Sequence, residues 1–192
     1  DDITEAKLQQ WKKMGINRLS IGVQSFAAAD LHWMNRAHND TMAIDSLHLA
    51  TKYFDNISID LIYGTPTLTD AQWIENMEQA IALNISHLSC YALTVEPKTA
   101  LQIMIEKEQV SDVDADQQAR HFELLLATLE SNGYEQYEIS NFAKPNFRSK
   151  HNSSYWQGKS YIGLGPSAHS FNGISRQWNV SNNALYLQSI SK

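Results

Sequence analysis

Hydrophobic and polar residues alternate along two segments of the chain and predict two β-strands. In residues 18–24 every second position is apolar, and the other face carries Ser20, Gly22 and Gln24. In residues 56–64 the corresponding face carries Ser58, Asp60, Ile62 and Gly64. A period of two is typical of a strand whose faces meet different surroundings. Residues 87–94 predict a third strand, but one without a clear polar face.

Apolar residues recur at helical spacing in the segments between these strands. Thr69-Asp70-Ala71-Gln72 is a capping-box pattern that begins one helix, and Asp114 with Gln117 begins a longer helix that Gly133 ends. A shorter helix near residues 100–108 and a further strand at residues 136–142 are also predicted. The alternation of helices and strands predicts an α/β fold with parallel strands and right-handed crossovers.

The polar strand faces separate two α/β architectures. Central strands of an open doubly wound sheet are usually apolar on both faces, whereas one face of a barrel strand points into the lumen. A lumen that contains Gln24 and Asp60 is too polar to be only a packed core. We therefore predict a barrel around a bound small molecule, with the open sheet as the alternative.

Composition and charge exclude several classes of function. The 192 residues suffice for one domain, or for one domain and the start of another. No run of about 18 apolar residues predicts a membrane span, and the acidic first residues do not resemble a signal peptide. A net charge of −6 without a Lys/Arg cluster argues against nucleic-acid binding.

The one cysteine, Cys90, excludes an intramolecular disulfide and any Cys₃ or Cys₄ metal site within this chain. It fits a reducing compartment, so we expect a cytoplasmic protein. Its position inside a strand favours a small buried hydrophobe over a nucleophile.

Three polar residues follow or end the first two strands. Gln24 and Asp60 lie near the C-terminal ends of their strands, where barrel proteins place their active sites. Alternatively, Gln24 hydrogen-bonds a loop and Asp60 caps a neighbouring helix. Arg36 follows the first strand and is either a surface arginine or a partner for a carboxylate, from Asp60 or from a ligand.

Residues 144–192 are aromatic, rich in Gly, Ser and Asn, and poor in helical periodicity. The segment His151-Asn152-Ser153-Ser154-Tyr155-Trp156 combines a possible metal or heme ligand with flat rings that suit a macrocycle. Alternatively it is a loop that packs on its own aromatic residues. The glycine-rich residues 163–170 favour a tight turn near a ligand over a phosphate-binding loop.

Six stretches together resemble the HemW branch of the radical SAM superfamily, whose members are often called oxygen-independent coproporphyrinogen III oxidases. They are NRLSIGVQSF (17–26), IDLIYGTP (59–66), HLSCYALTVEP (87–97), YEISNFAKP (137–145), HNSSYW (151–156) and GLGPSAHSF (163–171). The resemblance implies a partial (β/α)₆ TIM-like barrel that holds a 4Fe–4S cluster and S-adenosylmethionine (SAM). Residues 1–143 would supply about the last three strands with their helices, and residues 144–192 would begin the C-terminal region.

The resemblance also implies roles for individual residues. Gln24, Arg36 and Asp60 would contact SAM, while Ile62 and Ala92 would flank its adenine. The HNSSYW segment implies heme binding, with contacts from His151, Asn152, Tyr155 and Trp156. It favours a heme chaperone that delivers heme to an apo-hemoprotein. The alternative is an oxidase that decarboxylates coproporphyrinogen III to protoporphyrinogen IX.

One part of the family pattern is missing from these residues. The C-x-x-x-C-x-x-C cluster motif is expected upstream of residue 1, so we expect this chain to be part of a longer protein. We expect the chain to contain no catalytic or metal-ligating residues and to be inactive alone. Whether the longer protein is an enzyme stays open. Part of a barrel leaves a strand edge exposed, so we also expect self-association through that edge.

Overall fold

Helices and strands alternate through most of the chain, as the periodicity predicts. The computed structural model describes residues 3–190. Its helices are α1 (Glu5–Lys13), α2 (Ala28–Trp33), α3 (Asp40–Thr51), α4 (Asp70–Ala82), α5 (Ala100–Glu106), α6 (Ala115–Ser131), α7 (Lys150–Trp156) and α8 (Asn183–Ile190). Its strands are β1 (Leu19–Gln24), β2 (Ile57–Tyr63), β3 (His87–Ala92), β4 (Glu135–Gln136), β5 (Asn141–Ala143), β6 (His169–Phe171) and β7 (Arg176–Trp178). None of the described helices combines the length and apolarity that a membrane crossing requires.

Helix starts follow the capping residues that the sequence indicates. The Thr69 hydroxyl accepts the Gln72 backbone N–H, and the Gln72 side chain accepts the Thr69 backbone N–H, so the predicted capping box is confirmed. Asp114 caps α6 through the N–H groups of Asp116 and Gln117. These contacts satisfy donors that the first helical turn leaves without partners.

A five-stranded sheet in the order β1-β2-β3-β5-β4 forms the centre of the first part of the chain. The strands β1, β2 and β3 pair in parallel, as predicted. Their apolar face packs against the helices. In β2 and β3 it is almost completely buried, including Ile59, Leu61, Leu88 and Cys90, whereas Leu19 and Ile21 of β1 are partly buried. The burial of these side chains is the main favourable contribution to folding here. The α/β class is confirmed.

The predicted strand at residues 136–142 is instead two short strands. The chain reverses between β4 and β5, so these two strands pair antiparallel and β5 also runs antiparallel to β3. Glu138 stabilises the reversal because its carboxylate accepts the Ser140 backbone N–H at 3.1 Å. The described sheet therefore combines parallel and antiparallel pairs, which the expectation of parallel strands did not anticipate.

The chain divides into two compact units, one that ends at Arg148 and one that begins at Ser149. The second unit contains α7, the β6–β7 hairpin and α8. The alternative interpretation of HNSSYW as a loop is wrong, because the segment lies in α7. Ser149 accepts the Asn152 backbone N–H and begins this helix, and seven residues are too few for a clear helical period. The domain assignment of residues 1–143 and 144–192 stays a prediction.

Candidate functional site

The register of the sheet gathers polar side chains from four strands on one face. Residues that pair across neighbouring strands form rows over the sheet. One row contains Ser20, Ser58 and His87, and the next contains Gly22, Asp60, Ser89 and Asn141. Residues that pair directly across strands share a face, and so do residues two apart on one strand. The polar face therefore comprises nine residues by register: Ser20, Gly22, Ser58, Asp60, Ile62, His87, Ser89, Tyr91 and Asn141. Gln24 pairs with Leu61 in the register and joins this face only because its side chain folds back over Gly22.

Gln24 is brought close to Asp60 by an irregularity at the end of β1. The pairing with β2 shifts between Gly22 and Gln24, and Gln24 has a positive φ of 70°. A methyl group on Gly22 would lie 2.6 Å from Gln24 Nε2, so the amide folds back over the glycine. Because Gly22 pairs with Asp60, the Gln24 amide and the Asp60 carboxylate occupy neighbouring positions. Such bulges commonly redirect a side chain at a site.

Asp60 lies half-buried in the middle of the polar face. Desolvation raises the pKa of its carboxyl, whereas the Ser89 hydroxyl and the Arg18 guanidinium stabilise the charged form. The Ser89 hydroxyl also lies 2.8 Å from Asn141 Oδ1, and its one proton serves one acceptor at a time. Asp60 is thus a desolvated carboxylate whose charge depends on its neighbours.

Arg18, rather than Arg36, is the arginine that acts on Asp60. Arg18 donates to Asn56 Oδ1 at 2.7 Å, and burial lowers its pKa while the charges of Tyr137 and Asp60 raise it. Arg36 is exposed, and no ion pair involves it within residues 3–190. Of the alternatives for Arg36, the structure shows the surface arginine: the segment after α2 leaves Arg36 in solvent and does not pair it with Asp60.

A buried histidine connects the strands behind Asp60. His87 Nδ1 lies 2.7 Å from Ser58 Oγ, and His87 Nε2 lies 2.7 Å from the Tyr137 hydroxyl. Burial, assisted by the positive charge of Arg18, lowers the pKa of His87 to about 3. The imidazole is therefore neutral at ordinary pH, with one donor and one acceptor nitrogen that the two hydroxyls satisfy.

The segment around β5 completes this side of the polar face. Asn141 accepts from Ser89, and its amide group donates to the Glu138 carboxylate. Arg148 lies 5.7 Å from the ring centroid of Tyr137, the tyrosine that binds His87. The YEISNF stretch thus contributes polar groups that connect β5 to the rows of Asp60 and Ser58.

Ile62 and Ala92 do not share a face. Ile62 pairs with Tyr91 on the polar face, and Ala92 pairs with Tyr63 on the opposite face. The alternation of side chains along β3 causes this difference. Tyr91 is thus the β3 residue beside Ile62, whereas Ala92 is exposed at the end of the strand.

The HNSSYW residues lie in the second unit, where the structure joins two of them. His151 Nε2 lies 3.1 Å from the Tyr155 hydroxyl, one helical turn away, and the two rings meet edge to face at 5.1 Å. Asn152 is half-buried at the start of the helix, and Trp156 is 61% exposed. Trp156 therefore presents a flat, accessible ring.

Sequence reasoning missed Arg18, His87 and Tyr137. Arg18 begins the first predicted strand, residues 18–24, but it was not singled out there. The alternation in β3 places His87, Ser89 and Tyr91 on one face once their partners are known. Tyr137 lies 50 residues beyond His87. Only the antiparallel return of β5 brings that hydroxyl to the imidazole, and no local pattern indicates this.

The residues present do not fit a 4Fe–4S cluster. Within residues 3–190 no group of three or more His, Cys, Asp or Glu side chains is arranged to hold a metal. Cys90 lies on the apolar face, and burial raises the pKa of its thiol far above the ordinary value. Cluster ligation requires thiolates, so Cys90 is unsuited to it.

The chain is similar to several curated proteins along nearly its whole length. It is 37% identical over 193 residues to a Bacillus subtilis protein named heme chaperone HemW, covering 100% of this chain and 51% of that protein. For a Mycobacterium tuberculosis protein of the same name the identity is 35%, covering 91% of this chain and 45% of that protein. A Danio rerio protein named radical S-adenosyl methionine domain-containing protein 1, mitochondrial, is 35% identical, with 86% and 37% covered. The chain spans about half the length, or less, of these relatives. No family model matches.

Two solved structures share the fold of this chain. Coproporphyrinogen III oxidase HemN from Escherichia coli, described as a radical SAM enzyme, matches with a TM-score of 0.78 at 24% identity. The match covers 99% of this chain and 46% of HemN. Elp3 from Methanocaldococcus infernus matches with a TM-score of 0.55 at 20% identity, covering 66% of this chain and 30% of Elp3.

The neutral state of His87 predicts a specific loss of stability in acid. Below pH 6.5 the unfolded chain protonates this histidine, whereas the folded chain does so only near pH 3. The unfolded state therefore binds more protons, and the free energy of unfolding decreases as the pH is lowered. The loss attributable to His87 is about 2 kcal/mol at pH 5. Urea unfolding followed by circular dichroism between pH 7 and pH 5 measures it.

The variant His87→Gln should remove this share of the pH dependence because glutamine keeps polar contacts but does not titrate. Burial also lowers the pKa of His121, which contributes with the same sign, so the difference between wild type and variant is the relevant quantity. His48→Gln, at an exposed position of α3, is the matched control and should keep the wild-type slope. Equal slopes for wild type and His87→Gln would contradict the buried neutral imidazole.

Proposed function

Because this chain is homologous to the proteins named heme chaperone HemW, we propose that it forms about half of a HemW-like radical SAM protein that binds heme. The observation that carries the proposal is the 37% identity to the Bacillus subtilis protein, which extends over the entire chain. We place the function in heme metabolism and the protein in the cytoplasm, where a single unpaired cysteine is stable.

We propose that β1, β2 and β3 with their helices form part of a (β/α)₆ TIM-like barrel. Their parallel pairing and the TM-score of 0.78 to HemN support this assignment. Residues 1–143 would belong to the barrel, and residues 144–192 would begin the C-terminal region. The polar face would then line the lumen, where barrel proteins bind their ligands.

The polar face suits SAM in its chemistry. The Asp60 carboxylate accepts hydrogen bonds from sugar hydroxyls, the Gln24 amide offers a donor and an acceptor, and the half-buried Ile62 offers an apolar surface to adenine. Arg36 would bind the carboxylate of SAM, and Ala92 would contact the adenine only from the end of β3. Together with a 4Fe–4S cluster, bound SAM supplies radical chemistry, and the cluster ligands must come from outside these 192 residues.

We propose that α7 contributes to heme binding. His151 holds the Tyr155 ring, and Trp156 presents an exposed aromatic surface to a macrocycle. Asn152 at the start of the helix has an amide that suits a heme carboxylate. In a chaperone the heme would pass from this surface to an apo-hemoprotein. The competing function is oxidation of coproporphyrinogen III.

The free edge of β1 supports a further proposal, self-association of this chain. Within the described residues β1 pairs only with β2, and a cavity of about 350 Å³ along it has apolar walls that include Ile3, Trp11 and Met42. The Leu19 N–H donates to Asn56 on the β2 side. By the alternation of a parallel ladder, the Ser20 N–H points to the outer edge, where it can pair with a second copy.

Substitution at Asp60 should weaken SAM binding by this chain. Asp60→Asn removes a charge-assisted acceptor that contributes about 1.5–3 kcal/mol, so the Kd for SAM should rise about tenfold or more. Isothermal titration calorimetry measures the change, with Asp45→Asn on the exposed side of α3 as the control. Equal affinities of wild type and Asp60→Asn, or no SAM binding by wild type, would contradict the assignment of the polar face.

The heme proposal predicts that hemin binds the wild-type chain and shifts the Soret band. His151→Ala should weaken binding because Tyr155 loses the contact that holds its ring. The full-length, cluster-loaded protein with SAM, reductant and coproporphyrinogen III should yield no protoporphyrinogen. Turnover in that assay would establish the oxidase function, and a wild-type chain that leaves the hemin spectrum unchanged would refute heme binding.

Blocking the β1 edge should convert the self-associated chain to a monomer. Ser20→Pro removes an N–H that the β1–β2 ladder does not use, while Ser20→Ala keeps it and is the matched control. Size-exclusion chromatography with light scattering should give a dimer or larger species for wild type and Ser20→Ala, and a folded monomer for Ser20→Pro. A monomeric wild type at high concentration would exclude this association.

A further inference from the structure

One face of the β6–β7 hairpin is built from aromatic and basic side chains. His169 pairs with Trp178, Phe171 pairs with Arg176, and Tyr161 bridges to Phe171. Because residues that pair across strands share a face, these side chains form one surface, whereas Ser170 and Gln177 lie on the opposite face. We call this surface the aromatic face: Tyr161, His169, Phe171, Arg176 and Trp178.

Ring contacts show that the aromatic face is continuous with α7. The Tyr161 centroid lies 6.2 Å from that of Phe171, and the edge of Tyr155 meets Tyr161 at 4.9 Å. The Arg176 guanidinium lies 5.5 Å from the Phe171 centroid, in a cation–π arrangement. The HNSSYW helix therefore extends a larger flat-ring surface.

His169 is the histidine of this surface whose ring nitrogens are available. In the described part of the chain neither nitrogen has a hydrogen-bond partner, whereas His151 Nε2 binds the Tyr155 hydroxyl. The His169 ring lies 6.0 Å from Trp178, centroid to centroid, with the planes tilted by 34°. Both residues line a cavity of about 610 Å³, with Val180 as an apolar neighbour.

Gly163, in the glycine-rich stretch, packs closely against the backbone of His169. A methyl group on Gly163 would lie 2.2 Å from the His169 carbonyl oxygen, so only glycine permits this approach. The Gly163 N–H donates to Ser170 Oγ at 2.9 Å, and Asn179 donates to the carbonyls of Gly163 and Gly165. The predicted tight turn therefore supports the strand that carries His169.

These features together match the chemistry of heme. An imidazole with a free nitrogen ligates iron, an indole face packs against a porphyrin, and a guanidinium pairs with a propionate carboxylate. Resting on the proposed heme function, we propose that His169 is an axial ligand of heme iron on the aromatic face. Trp178 packs against the macrocycle, and Arg176, two residues away on the same face, binds a propionate.

Two porphyrins separate ligation of iron from stacking on the rings. The wild-type chain is titrated with hemin and with metal-free protoporphyrin IX, by absorbance and by tryptophan fluorescence. His169→Ala should raise the Kd for hemin about tenfold or more through loss of the iron ligand, and leave the Kd for protoporphyrin IX within about twofold. Trp178→Ala and His151→Ala should weaken the binding of both porphyrins, because these substitutions alter the packing surface and leave the proposed iron ligand, His169, in place.

Controls identify an effect of the imidazole itself. Added imidazole should restore the wild-type hemin spectrum of His169→Ala, and His48→Ala in the first unit should change neither affinity. The inference is overturned if His169→Ala keeps the wild-type hemin affinity and spectrum while wild type binds hemin. If wild type binds neither porphyrin, the proposed heme function fails first. The two failures are therefore distinguishable.

Discussion

The hydrogen bonds of His87 hold the polar face together. The imidazole joins Ser58 on β2 to Tyr137 in the connection between β4 and β5, so it joins the parallel and antiparallel parts of the sheet. The contact with Ser58 is buried and the contact with Tyr137 is partly buried, and a buried polar group without a partner costs about 1–3 kcal/mol. The neutral ring satisfies both hydroxyls at once. A charged ring would offer only donors and would require a costly desolvation.

The same burial determines the electrostatics of the candidate site. Arg18 contributes to the low pKa of His87 and also stabilises the Asp60 carboxylate in the neighbouring row. The site thus contains the Asp60 carboxylate, the Arg18 guanidinium and the neutral His87 imidazole. This arrangement suits a ligand with hydroxyl and amino groups better than one with several phosphates. The proposal of a SAM site rests on this chemistry together with the similarity to radical SAM proteins.

Local patterns predicted the elements well but predicted long-range contacts poorly. The alternation in residues 18–24 and 56–64 placed Gln24, Asp60 and Ile62 on one face, and the capping box placed the start of α4. The face of β3 and the role of Tyr137 depend on register and on the antiparallel β5, which no local pattern encodes. The alternation in residues 18–24 also puts Arg18 on the face of Ser20, but no local pattern indicates that its guanidinium acts on Asp60.

The two units carry different chemistry. The first has a polar face with a desolvated carboxylate, and the second has an aromatic face whose His169 ring contacts Trp178 and has no hydrogen-bond partner among residues 3–190. The first depends on the neutral state of His87, which ¹⁵N NMR of the labelled imidazole measures directly. Between pH 7 and pH 4 the His87 nitrogens should keep the two distinct shifts of a neutral ring with a fixed proton. A titration of these shifts with a midpoint near 6.5 would contradict the buried network on which the polar face is built.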